Sequence, residues 1–216
     1  MLYTAAIFDF DGTLLDTLDD LADCMNRILA RMKYPTHPVD SYKYFVGDGM
    51  FNLAKRAAPK DTADDVLAAI AGNMTDEYDT HWADKTKPYD GVMEMLSEMR
   101  KKNLRVGLLS NKPDQFTQIM AKHFFPEGTF DQAFGARDNV PKKPDPAGAL
   151  EIARNLGMQP DRFLYFGDTN TDMRTGRAAG MFTIGVTWGF RPVEELKDAG
   201  AHAIINEPKE ALSFLS

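Results

Sequence analysis

Three clusters of polar residues follow directly on short apolar runs. Asp9-Phe10-Asp11-Gly12-Thr13 comes after Ile7-Phe8, Ser110-Asn111-Lys112 after Leu108-Leu109, and Gly167-Asp168-Thr169-Asn170-Thr171-Asp172 after Tyr165-Phe166. A fourth, Lys142-Lys143-Pro144-Asp145-Pro146, precedes a helical pattern. Asp9 and Asp11 are two positions apart, so in a strand both carboxylates point to one side, and Gly12 lets the chain turn sharply after them. With Asp168 and Asp172 added, four carboxylates crowd one site, and their full ionisation is self-repulsive without a cation. Hard oxygen ligands suit magnesium. Such a cation lets a phosphate dianion approach a carboxylate nucleophile, while Lys143 and the Ser110 hydroxyl can hold the remaining phosphoryl oxygens. The chemistry these residue types could perform is phosphoryl transfer. Each cluster alone has a plainer reading. An Asp after a strand can be a turn former or helix cap, Ser110 can cap the helix after it, and a surface lysine can be a solvated charge. The four together in this order point to a site.

The elements that must position these groups are strands alternating with helices. β-type runs cover Thr4 to Phe10, Leu104 to Leu109, Phe163 to Phe166, Phe182 to Thr187 and Ala203 to Ile205. Between them, Phe116, Ile119 and Met120 share a predicted helix face, as do Ala149, Leu150, Ala153 and Leu156. This alternation predicts an α/β fold, a Rossmann-like doubly wound, mostly parallel sheet with right-handed crossovers. Ligands of such sheets sit beyond the carboxyl ends of the strands, where the four clusters fall.

From about Leu15 to Lys87 only helical signals occur, which predicts an inserted helical domain at residues 15–87 and a catalytic core made of 1–14 and 88–216. Leu18, Leu21, Met25, Ile28, Leu29 and Met32 form one apolar stripe; Val66, Leu67, Ile70, Met74 and Tyr78 form a second. Thr62 and Asp65 have the spacing of a capping box at the start of that second helix. Prolines at 35, 38 and 88 punctuate the insert, and hinges are expected near Leu15 and Lys87.

Composition narrows the partners. The 216 residues are 44% hydrophobic, enough for one substantial core, and carry 25 basic against 32 acidic side chains. That balance gives no general attraction to nucleic acid or an anionic membrane, so a small molecule is the expected partner. One cysteine, Cys24, allows no internal disulfide, and four histidines without zinc spacing offer no soft-metal site. The sequence shows no secretory signal pattern and no apolar stretch of spanning length. A soluble, cytoplasmic monomer or homodimer is expected. Cys24 lies on the first apolar stripe and reads as buried structure.

Asp9-Phe10-Asp11-Gly12-Thr13, Ser110, Lys143-Pro144 and Gly167-Asp168 through Asp172 resemble the four motifs of the haloacid dehalogenase superfamily, over nearly the whole chain. The helical insert resembles that family's small helical cap. Within the family, Ser110-Asn111-Lys112, the Val46-Gly47-Asp48-Gly49 turn and Gly185-Val186-Thr187-Trp188-Gly189 are most similar to phosphoglycolate phosphatases. The resemblance implies that Asp9 is the nucleophile and that Asp11 is the acid and then the base. It also implies magnesium held by Asp9, the Asp11 main-chain carbonyl and Asp168, with Asp172 supporting the site from outside. Ser110, Asn111 and Lys143 would bind the phosphoryl group; the resemblance selects Lys143 over Lys142 because it precedes proline. In the cap, Lys43, Gly47 and Arg56 are candidates to meet the substrate beyond its phosphate, such as the carboxylate of phosphoglycolate. Trp188 and Arg191 could edge the site.

The motifs also fit a hexose-phosphate mutase, which passes the phosphoryl group to a sugar, and a pyrophosphatase or nucleotidase. A two-component receiver domain shares an acidic magnesium pocket but is shorter and lacks the insert. Gly47-Asp48-Gly49 is not completed by glycine at Asn52, which argues against a dinucleotide site.

Overall fold

The structure is a computed structural model that describes residues 3–215. Two compact units divide the chain: Met1–Leu15 with Pro88–Ser216, and Asp16–Lys87. The first is the α/β unit. Its six strands are β1 (Ala5–Phe8), β4 (Arg105–Pro113), β5 (Gln132–Ala136), β6 (Phe163–Gly167), β7 (Phe182–Val186) and β8 (Ala203–Ile205). They lie in the order β5-β4-β1-β6-β7-β8, and every pairing is parallel. Two further strands, β2 (Leu15–Asp16) and β3 (Lys87–Pro88), pair as a short ladder where the chain passes between the units.

A parallel sheet buried on both faces reads as continuous apolar runs, and β1 and β6 are buried throughout. Ala5, Ile7, Phe163 and Tyr165 pack with Ala149, Ile152 and Ala153 of α7 (Ala147–Asn155). Phe8 and Phe166, neighbours in the β1/β6 register, stack with ring centroids 4.5 Å apart. The remaining helices of this unit are α5 (Val92–Lys101), α6 (Asp114–Phe124), α8 (Asn170–Ala178) and α9 (Val193–Asp198).

Two helix faces differ from expectation. Ile119 is 39% exposed and Leu150 is 37% exposed, whereas Phe116, Met120, Ala149 and Ile152 are buried. Adjacent helical positions differ by about 100°, so Leu150 turns away from the stripe that holds Ala149, Ile152 and Ala153. Strand β5 was not predicted at all. Its sequence, Gln-Ala-Phe-Gly-Ala, lacks β-branched residues, and it sits half-buried on the sheet edge, where the pattern is weakest.

The second unit contains α1 (Leu18–Arg31), α2 (Tyr42–Phe45), α3 (Met50–Ala57) and α4 (Asp64–His81). α1 buries Leu18, Leu21, Met25, Ile28 and Leu29, and α4 buries Leu67, Ile70, Met74 and Tyr78. The two helices pack on each other. Each such side chain contributes about 1.5–3 kcal/mol when fully buried. Arg27 and Arg31 converge on Glu77 at 2.6 and 2.8 Å. The Asn26 side chain ties His37 to Tyr42, accepting from the Tyr42 hydroxyl at 2.7 Å and donating to the His37 carbonyl at 2.8 Å. Cys24 is buried.

The expected capping box at Thr62 does not form. Ala63 occupies the N-cap of α4 without a side-chain bond, and the Thr62 hydroxyl donates instead to the Pro59 carbonyl at 2.7 Å. The capping box that does form is Thr169 with Asp172 at the start of α8. No helix among the described residues is long and apolar enough to cross a membrane.

Candidate active site

The candidate site lies at the carboxyl ends of β1, β4 and β6, the central strands of the sheet. Asp9 follows β1 directly, and its N–H still donates to the Phe166 carbonyl at 2.9 Å, which continues the ladder by one residue. The chain then turns through Gly12, at φ +85°. A Cβ there would fall 2.2 Å from Asp168 Oδ2, so the backbone comes this close only because the residue is glycine.

The pairing of β4 with β5 shifts between Leu109 and Pro113: Leu109 faces Phe134 and Pro113 faces Ala136. Three residues, Ser110 to Lys112, thus stand opposite the single Gly135. Such a bulge re-aims side chains at a sheet rim. The Ser110 hydroxyl accepts from the Lys112 N–H at 3.1 Å rather than capping α6, whose N-cap is Pro113. Asn111, expected against substrate, spends its amide on the main chain of Lys143. It accepts from the Lys143 N–H at 2.9 Å and donates to the Lys143 carbonyl at 3.1 Å. These two bonds fix the main chain of the lysine. The Lys143-Pro144 peptide is cis.

Lys143 is buried, with Nζ 2.6 Å from Asp9 Oδ1 and 2.7 Å from Asp172 Oδ1. Burial would lower its pKa, but the Asp172 and Asp9 carboxylates outweigh this and raise it well above the usual lysine value. The other oxygen of Asp172 accepts from the Thr169 hydroxyl at 2.6 Å and the Thr169 N–H at 3.2 Å. Asp172 thus supports Lys143 and starts α8 at once. Asp168 Oδ1 accepts from the Thr13 hydroxyl at 3.0 Å, and Oδ2 from the Phe190 N–H at 2.8 Å. Lys142, by contrast, is exposed.

Oxygens of Asp9, Asp168 and Asp172 lie within 4.8 Å of one another, all buried. Burial and then the neighbouring Asp172 charge raise the pKa of Asp9 well above the carboxylate range, despite Lys143. The same two causes bring Asp168 to about 7. If all three are ionised, three carboxylates against one ammonium leave two negative charges, which a divalent cation would balance. An all-oxygen donor set fits such an ion.

Asp11 lies on the same rim, and its Oδ1 is 3.2 Å from Lys112 Nζ. Thr13, Thr169, Phe190 and the pairing role of Lys112 were not anticipated as parts of the site. Thr13 and Thr169 sit inside motifs already singled out, and Lys112 follows Ser110 by the strand period of two. The Phe190 N–H carried no sequence signal, because a main-chain donor is anonymous. Trp188 donates its indole N–H to the Thr13 carbonyl at 2.9 Å, packing the first loop, and Arg191 pairs with Glu195 at 3.3 Å.

The cap candidates belong to the helical unit. Lys43 pairs with Asp40 at 3.0 Å, and Arg56 binds Asp48 and the Phe45 carbonyl, the latter at 3.1 Å. Gly47 has φ +114° with open space around it.

A carboxylate-rich rim on a parallel α/β sheet, with a lysine bridging two of the acids, is suited to phosphoryl transfer. The model of the haloacid dehalogenase-like hydrolases matches residues 6–186, and this chain belongs to that family. Among similar proteins, a phosphoglycolate phosphatase of Psychrobacter arcticus is 29% identical over 88% of this chain and 86% of its own length. An N-acetylmuramic acid 6-phosphate phosphatase of Pseudomonas aeruginosa is 31% identical over 100% of this chain and 96% of its own. A crystal structure from Lactobacillus delbrueckii subsp. bulgaricus superimposes with TM-score 0.93 at 29% identity, covering 100% of this chain and 99% of that one. The chain is a phosphatase of this family.

Proposed function

We propose that this phosphatase is magnesium-dependent and hydrolyses a small phosphomonoester that carries a carboxylate, with 2-phosphoglycolate the leading candidate. The observation that carries this reading is the Lys143 ammonium bridging Asp9 and Asp172 in a buried, all-oxygen cluster. An Asp9 oxygen and Asp168, with the Asp11 main-chain carbonyl, are the groups proposed to hold the cation. When bound, magnesium offsets the carboxylate charge and polarises the phosphoryl oxygens.

Asp9 attacks phosphorus, a carboxylate oxygen to phosphorus bond forms, and the ester bond breaks as Asp11 gives its proton to the leaving alkoxide. Water then attacks phosphorus, its proton passes to Asp11, and phosphate leaves with the Asp9 carboxylate restored. Ser110 and Lys143 orient the phosphoryl oxygens, while Asn111 and Asp172 hold Lys143 in place.

A carboxylate is shared by phosphoglycolate and N-acetylmuramic acid 6-phosphate, the substrates that two of the relatives are named for. Lys43 and Arg56 are proposed to meet it by exchanging their partners, the exposed Asp40 and the half-buried Asp48. Hydrolysis is favoured over phosphoryl return to a sugar by the phosphatase relatives.

The test is phosphate release from 2-phosphoglycolate, N-acetylmuramic acid 6-phosphate, pyrophosphate, nucleoside monophosphates and hexose phosphates, with magnesium or excess chelator, beside Asp9→Asn. Release that needs both magnesium and Asp9, with kcat/KM highest for a carboxylate-bearing ester, is expected. Release undiminished in Asp9→Asn would overturn the mechanism.

A further inference from the structure

The α/β unit buries a second lysine beside the first. The Lys112 side chain is 2% exposed, and its Nζ lies 3.2 Å from Asp11 Oδ1. Burying an ammonium group is costly unless it is paired, so its placement on this rim calls for a use. The two lysines serve different acids: Lys143 is committed to Asp9 and Asp172, and Lys112 reaches Asp11.

Their tethers differ too. Asp11 is on the loop after β1, whereas Lys112 stands in the bulged end of β4, its N–H fastened to the Ser110 hydroxyl at 3.1 Å. The Asp11 side chain is 18% exposed, and an aspartate at that depth can rotate toward solvent. An ion pair to a buried ammonium on a neighbouring strand restricts that rotation.

We infer that Lys112 is the positioning residue for Asp11, holding its carboxylate in the orientation from which it takes the proton of the water that hydrolyses the phospho-enzyme. This rests on the proposed aspartyl-phosphate mechanism. The contact between Lys112 Nζ and Asp11 Oδ1 serves the half-reaction in which water attacks phosphorus, the Asp9 oxygen to phosphorus bond breaks and the water proton moves to Asp11. In the first half-reaction an ester with a good leaving group needs little proton donation. The two halves can therefore be separated by substrate choice.

The experiment is rapid-quench kinetics on the full chain with 4-nitrophenyl phosphate and magnesium, comparing wild type, Lys112→Met and Lys112→Arg. The readouts are the burst of nitrophenolate, the steady-state rate and the fraction of enzyme holding hydroxylamine-sensitive phosphate. In Lys112→Met the burst rate should stay within about threefold of wild type while the steady-state rate falls about tenfold or more. Phospho-enzyme should accumulate, and Lys112→Arg should recover much of the loss.

A purely structural role would lower burst amplitude and both rates together, and that outcome, or an unchanged ratio of the two rates, overturns the inference. If Lys112→Met does not fold, Lys112→Gln, which keeps a donor for Asp11 without the charge, is judged by the same ratio. Wild type that forms no phospho-enzyme at all would remove the underlying mechanism, and this inference with it. Phospho-enzyme formed normally with an unchanged ratio would remove the inference alone.

Discussion

Gly189 presses its Cα so close to Asp168 that a Cβ built on it would lie 2.2 Å from the Asp168 Cβ and 2.4 Å from the Gly12 carbonyl oxygen. The last loop of the site is thus packed directly on a candidate metal ligand, and the next residue, Phe190, donates its N–H to the same carboxylate.

Gly189→Ala should therefore displace Asp168. Contacts below 3.0 Å to backbone cannot be relieved by a side-chain rotation, so the loop or the carboxylate must move. The expected result is a loss of magnesium affinity of about tenfold or more, as for disturbed support of a metal ligand. Magnesium titration of the thermal midpoint measures it, and unchanged affinity would show that Asp168 does not hold the ion.

Asn111→Ala removes both hydrogen bonds on the main chain of Lys143. Two buried groups lose their partner, which costs about 1–3 kcal/mol each at most. Urea denaturation should register the loss, and kcat should fall more than KM rises, because the lysine loses its aim toward Asp9. A rise in KM alone would return Asn111 to direct substrate contact.

Asp20 is buried in α1, and its carboxylate accepts from the Thr86 N–H at 2.8 Å, the Thr86 hydroxyl at 2.7 Å and the Lys85 N–H at 3.0 Å. It fastens the start of the helical unit to its last residues. Asp20→Ala leaves buried main-chain donors without a partner and should destabilise the protein by about 2–4 kcal/mol. Asp20→Asn, which keeps an acceptor oxygen, should lose less. Equal loss in both variants would mean that the charge rather than the acceptor geometry is what counts.

The metal-free site should respond to pH in a defined direction. Burial and the Asp172 charge raise the pKa of Asp168 from 3.8 to about 7. Folding therefore favours the protonated form. Its stabilising contribution is complete below pH about 3.8 and is lost as pH rises through about 7. A cation favours the ionised form, so the gain in thermal midpoint on adding magnesium should grow across that window. Scanning fluorimetry with magnesium and with chelator gives the difference directly, and a gain independent of pH would contradict the assignment of the ion to this cluster.

Much of this arrangement is dictated locally. The apolar runs before Asp9, Ser110 and Asp168 form strands because side chains buried on both faces of a parallel sheet must be apolar. Asp9 and Asp168 emerge at the strand ends because the runs stop there. The stripes of α1 and α4 form helices because their apolar residues recur at the helical period. The class of chemistry follows from carboxylates, a hydroxyl and a lysine with no thiol or imidazole among them.

Other features depend on what meets in space. That Lys143 rather than Lys142 enters the site is decided by the Asn111 clamp and by Asp172, groups 32 and 29 residues away in sequence. The bulge that lifts Ser110 to Lys112 depends on β5, a strand whose own sequence carries almost no signal. Lys112 belongs to a polar cluster with no partner legible in the sequence until the fold brings Asp11 to it, and the Phe190 N–H is one main-chain donor among many until Gly189 lets it reach Asp168. Periodicity and residue type are properties of a segment, so sequence alone pointed to five of the six strands of the sheet, to the stripes of α1 and α4 and to the candidate reacting groups. Ion pairs, main-chain donors and close approaches are properties of two segments at once, and only the tertiary structure could decide them.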